Sequence, residues 1–181
     1  MGWPRSGGIV MRRLSVIVAL GAVLGMFAGV LTAAPALAGR GPKWEIVPAQ
    51  RSTVPSSFCG FKVRVTPVTK QFAKVLKTSD GSETVLITGR QRLSFTNLST
   101  GKTITENASA SSTFTANADG SVTVASRGRS PLVLAPADAQ RFGLPGVSVV
   151  AGRVTESVDS AGNLSLSLHG HVAVDVCAAL S

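Results

Sequence analysis

Residues 163–177, read NLSLSLHGHVAVDVC, constrain the fold more than any other part of the chain. Leu164, Leu166, Leu168, Val172, Val174 and Val176 hold the even positions, interrupted by Gly170. Ser165, Ser167, His169, His171 and Asp175 hold the odd ones, apart from Ala173. Successive side chains of a strand point to opposite faces, so this pattern predicts one long strand with an apolar and a polar face. It ends at Cys177, one of only two cysteines. The other, Cys59, opens the first predicted strand, so a bond between them would join the beginning of the fold to its end. Regular alternation puts Cys177 on the polar face. Either the bond then lies outside the core, or a bulge, for which Gly170 is the natural place, shifts the register.

The start of the chain reads as an export signal. Arg12 and Arg13 precede an apolar run over 14–31, and Ala36-Leu37-Ala38 before Gly39 is a small-residue cleavage site. An uncleaved membrane anchor is the competing reading, because the run is about as long as a minimal spanning helix of ~18–20 residues. Gly21, Gly25, Gly29 and Pro35 weigh against it. Met11 is itself a plausible start. The expected organisation is a signal peptide over 1–38, an extended linker or arm over 39–57 that carries three prolines, and one domain over 58–181. The mature protein is expected to be secreted, with no stable membrane anchor after cleavage.

Export makes a disulfide the expected state of Cys59 and Cys177. The loop it closes would span 118 residues, for which the chain-entropy relation gives about 4–5 kcal/mol. Cleavage would remove Arg5, Arg12 and Arg13 and no acid, lowering the formal charge from +9 to +6. A basic body is attracted to anionic polymers or headgroups. Lys and Arg are spread evenly along the sequence, which reads as an ordinary solvated surface.

Beyond Phe58 the chain is a series of short segments rich in Val, Ile, Thr and Phe. Strands are expected at 61–65, 71–77, 84–88, 90–96, 103–106, 110–116 and 121–127. Asp80-Gly81, Thr100-Gly101 and Asp119-Gly120 mark turns between them. A short strand at 132–134 and one helical turn from Pro136 to Phe142 follow. The last two strands, 147–158 joined through Ala161-Gly162 to 164–176, are expected to be the longest. About eight to ten antiparallel strands point to an all-β domain, an antiparallel β-barrel with a β-sandwich as the alternative.

Several blocks resemble a family of small secreted actinobacterial proteins of unknown function. They are Cys59-Gly60-Phe61, TNLSTGK at 96–102, Ala118-Asp119-Gly120-Ser121, Gly152-Arg153-Val154 with Val158-Asp159, and DVCAAL at 175–180. The resemblance implies paired cysteines and a single all-β body. It carries no catalytic residue.

The motifs that would carry chemistry are incomplete. Gly101-Lys102-Thr103 resembles the end of a phosphate-binding loop, but Thr96 stands where the leading glycine is needed and a strand follows. There is no G-x-S-x-G elbow, and a disulfide would remove both thiols. Asp80, Asp119 and Asp159 sit at turns, where aspartate has a local hydrogen-bonding role. His169 and His171 share one strand face with Asp175, a candidate metal site whose carboxylate lies too far along the strand without a bulge. Nucleic-acid binding is not expected in a chain without tyrosine whose only tryptophan beyond residue 38 is Trp44. Asn97, Asn107 and Asn163 each begin an N-x-S triplet, read here as turn and strand polarity.

These observations favour a secreted, non-catalytic binding or envelope-associated structural module without a cofactor. A small apolar ligand in the barrel, or an anionic cell-envelope polymer, is the expected partner. The alternative is a barrel cyclase or isomerase-like enzyme, which would need a deep pocket holding groups such as Arg153, Glu156 or His169.

Overall fold

In the computed structural model, residues 43–77 and 82–181 are described, so the expected signal peptide, the possible start at Met11 and the Asp80-Gly81 turn lie outside the described residues. The strands are β1 (Glu45–Ile46), β2 (Ser52–Val54), β3 (Val63–Lys77), β4 (Glu83–Asn97), β5 (Thr103–Asn107), β6 (Ala110–Ala116), β7 (Val122–Val133), β8 (Val147–Val158) and β9 (Leu164–Asp175). Helix α1 (Pro136–Phe142) connects β7 to β8, and α2 (Val176–Leu180) follows β9. All strands belong to one antiparallel sheet in the order β1-β3-β4-β6-β7-β8-β9, with β2 also on β3 and β5 also on β4. The segment expected as an arm thus adds two short strands to the outer side of β3.

The expected barrel does not form. Among the described residues β9 pairs with β8 alone, while the far side of β3 is occupied by β1 and β2. A curled sheet whose ends pack on each other, as in a sandwich, fits the structure. Closure is covalent instead: Cys59, just after a 3-10 turn at Ser56–Phe58, is bonded to Cys177 in α2, with Cα atoms 5.1 Å apart. The register problem posed by Cys177 is resolved at Ala173 rather than Gly170. Val149 faces Val174 and Val150 faces Val172, leaving Ala173 as the extra residue of a bulge. The strand then ends at Asp175, whose carboxylate caps α2 by accepting from Ala178 N at 3.0 Å. A helix replaces the predicted end of the strand, and Cys177 packs on the core from it.

Two further expectations are corrected. The segments 61–65 and 71–77, like 84–88 and 90–96, merge into the single strands β3 and β4, fifteen residues each, which are the longest of the sheet. The expected gaps between these segments fall at residues 66–70, which include Pro67, and at Gly89. Gly89 adopts φ +124° and bends β4 without interrupting its pairing. Pro67 lies between the stretches of β3 that β1 and β2 pair with, and Pro131 lies within β7, which takes in 132–133 of the short strand expected at 132–134, beyond the part that β6 pairs with. A missing donor therefore costs little at either place.

Among the described residues three apolar clusters hold the body together. The first joins Val63, Val65, Leu93 and Phe95 of β3 and β4 to Val147 and Val149 of β8, with Val176 and Leu180 of α2. Each such side chain contributes about 1.5–3 kcal/mol by leaving water. The second gathers Val47, Ala73, Val85, Ile87 and Phe114. The third places Ala139 and Phe142 of α1 over Val150, Val154 and the even-numbered leucines of β9. Helix α1 starts with Pro136 in its first turn and is closed by Gly143 at φ +64°. Asn97, at the end of β4, is buried. It donates to Leu180 O at 3.0 Å and accepts from Ser99 N at 2.8 Å, tying the β4–β5 turn to α2.

Candidate functional site

Alternation along β3 gives one face Val63, Val65, Pro67, Thr69, Gln71 and Ala73, an apolar row that changes character in its middle. The same face continues through Gln91 on β4, Ser112 on β6, Ser126 and Ser130 on β7, and Glu156 on β8. These polar groups line a cavity of about 70 Å³ between the first and second clusters, with Val47, Pro48, Ala49 and Gln50 at its rim. The rim segment is fixed by Val47 N donating to Gln71 O at 3.0 Å.

Most polar groups of the cavity are matched. Gln91 Nε2 donates to Gln71 Oε1 at 3.1 Å, and the hydroxyls of Ser112 and Ser126 lie 2.9 Å apart. The Ser130 hydroxyl and the Glu156 carboxyl are the exceptions, and Glu156 is the ionisable one. Glu156 is partly buried, flanked by Val124 on β7 and Leu166 on β9, and its carboxyl has no hydrogen-bond or ion-pair partner among the described residues. Burial without a compensating partner disfavours the charged form and pushes its pKa from 4.5 to about 7. The group is thus poised to hold or release a proton near neutrality, and to donate or accept a hydrogen bond accordingly.

The three groups named from the sequence for a pocket are separated by the fold. Glu156 faces the cavity. Arg153 and His169 stand opposite each other on the other face of β8 and β9 and are exposed, so they cannot serve the same pocket. The candidate metal ligands part as well: His169 and His171 remain on the exposed face, while the bulge at Ala173 turns Asp175 to the cap of α2. Among the described residues no group of three His, Cys, Asp or Glu side chains could hold a metal ion.

Gln71 and Gln91 were not singled out in the sequence. Their signal was present, since each occupies an inward position in an otherwise apolar alternation, as Glu156 does between Val154 and Val158. No family model matches the sequence, and no curated protein or solved structure matches it. Among the described residues no helix is long and apolar enough to cross a membrane.

Proposed function

We propose that this chain is an exported binding module without chemistry of its own, whose cavity takes a small, mostly apolar ligand carrying one hydroxyl-type group. The observation that carries this reading is the partnerless carboxyl of Glu156 in a cavity whose other polar groups are largely paired with one another. A buried polar group left unmatched costs about 1–3 kcal/mol, which a ligand group of suitable geometry recovers. A hydroxyl can complement the carboxyl in either protonation state. The volume of about 70 Å³ suits a short chain or small ring and not a large enclosed substrate.

The test is titration of the protein with short-chain alcohols and the matched alkanes, followed by NMR at Gln71, Val124 and Glu156. Saturable shifts at these residues with the alcohols, abolished in Glu156→Leu and retained in Glu156→Gln, are expected. Shifts that are absent, or scattered over the surface, would rule the cavity out as a ligand site. An enzymatic reading, with Glu156 moving a proton as general acid and base, is favoured only by its near-neutral pKa. Among the described residues no second ionisable group lines the cavity beside it.

A further inference from the structure

The sheet's other face is charged with one sign. Pairing assigns to it Arg64, Lys70 and Lys74 on β3, Arg90 and Arg92 on β4, Arg127 on β7 and Arg153 on β8. His169 and His171 of β9 continue it. The strand acids Glu45, Glu83, Glu106, Glu156 and Asp175 all belong to the opposite register. Among the described residues none of this basic set forms an ion pair, whereas Arg129, beyond Gly128 on β7, turns to Glu106 at 3.0 Å. Lys70 stands directly opposite Arg90, and Arg127 directly opposite Arg153. Like charges directly opposite one another destabilise a sheet by about 0.2–1 kcal/mol per pair, so this arrangement works against stability.

The same face holds most of the exposed large apolar side chains of the described residues. Val68 is 68% exposed, between Lys70 and Thr66 on that face, and faces Arg92 across the strands. Ile46, 75% exposed, pairs with Phe72 on the same side, and Trp44, 50% exposed, precedes it at the sheet edge. A soluble polyanion would account for the cations and leave Ile46, Val68 and Trp44 unexplained. A surface with both anionic groups and hydrocarbon accounts for all of them: cations reach headgroup phosphates, while aliphatic and indole side chains enter the interface.

We infer that this face docks onto an anionic lipid bilayer surface, with Trp44, Ile46 and Val68 dipping into the headgroup region and the β3–β4 cations on its phosphates. It uses the side of the sheet opposite the Glu156 cavity and does not depend on that cavity's ligand. Binding is peripheral and reversible, weakened by salt as the cations are screened. Removing three cations near the surface lowers partitioning by about a hundredfold, at roughly a factor of five for each.

The test uses the full chain with Trp3→Phe, which leaves Trp44 as the only tryptophan. It is mixed with vesicles of phosphatidylcholine, of phosphatidylcholine with phosphatidylglycerol, and with free polyphosphate. The expected result is a blue shift of Trp44 emission and quenching by brominated acyl chains on the anionic vesicles. The combined Lys70→Ser, Arg90→Ser and Arg92→Ser variant, its fold checked by an intact disulfide and unchanged far-UV circular dichroism, should lose that response by about a hundredfold. Because residues 14–31 can themselves enter lipid, binding that is equal on neutral and anionic vesicles and unchanged in the triple variant would overturn the inference. So would tight binding of polyphosphate with Trp44 still unshifted on vesicles, which would make the face a polyanion site. Arg127→Ser with Arg153→Ser serves as a second variant and should also weaken the anionic preference.

Discussion

Arg127 on β7 and Arg153 on β8 face each other directly across the ladder, with His169 next in line on β9 and no acid in the row. Replacing Arg153 with Glu converts a repulsive cross-strand pair into an attractive one. The variant should be more stable than the parent by about 0.5–1 kcal/mol in low salt, with the difference shrinking as salt is added. Urea unfolding at two ionic strengths measures both.

The disulfide closes a loop of 118 residues between Cys59 and Cys177. Its loss in the paired Cys59→Ser and Cys177→Ser variant should lower the unfolding free energy by about 4–5 kcal/mol, less whatever structure the reduced chain retains when unfolded. Denaturant titration of the parent with and without reductant should reproduce the difference.

Glu156 makes stability depend on pH in a defined window. Its folded pKa of about 7 lies above the ordinary value of 4.5, so the unfolded state releases the proton first as pH rises. Stability is therefore fullest below about pH 4.5 as far as this group is concerned, falls between there and pH 7, and levels off above. The full drop is at most about 3 kcal/mol, reduced by solvent at the cavity mouth. Glu156→Gln should flatten that part of the profile and be more stable than the parent above neutrality, as thermal unfolding across the range would reveal.

Gly152 of β8 has φ +133°, and a Cβ added there would crowd the backbone of His169 and lie 2.8 Å from Gly170 Cα. Gly152→Ala should lose at least about 3 kcal/mol or fail to fold, because strain and backbone overlap add. Gly120→Ala has open space at its turn despite φ +87°, and should lose only about 1–2 kcal/mol. Comparing the two by chemical unfolding separates overlap from backbone strain.

Much of the framework was legible because local chemistry and register agree. The alternation before Cys177, the Asp119-Gly120 turn and the proline-started helix at Pro136 each rest on a few neighbouring residues, and each is present in the fold. Closure was not legible, because whether β9 meets the first strands depends on what else pairs with β3. The short strands β1 and β2 do so, from a proline-rich stretch with no period. The basic face was hidden for a related reason. Arg64, Lys70, Arg90, Arg127 and Arg153 look evenly scattered along the chain, and only the cross-strand register reveals that they share a side. Gln71 and Glu156 were legible as inward polar residues, but their convergence on one cavity required the curl of the whole sheet.

The bond between Cys59 and Cys177 also decides how the body carries mechanical load. A pull applied between the segment before Cys59 and the end of the chain passes through the sulfur atoms and α2, bypassing the strands between them. The sheet from β3 to β9 is held inside a covalent ring that tension cannot lengthen. Of the described elements, only β1, β2 and the last residues after Cys177 can be peeled away while the bond is intact.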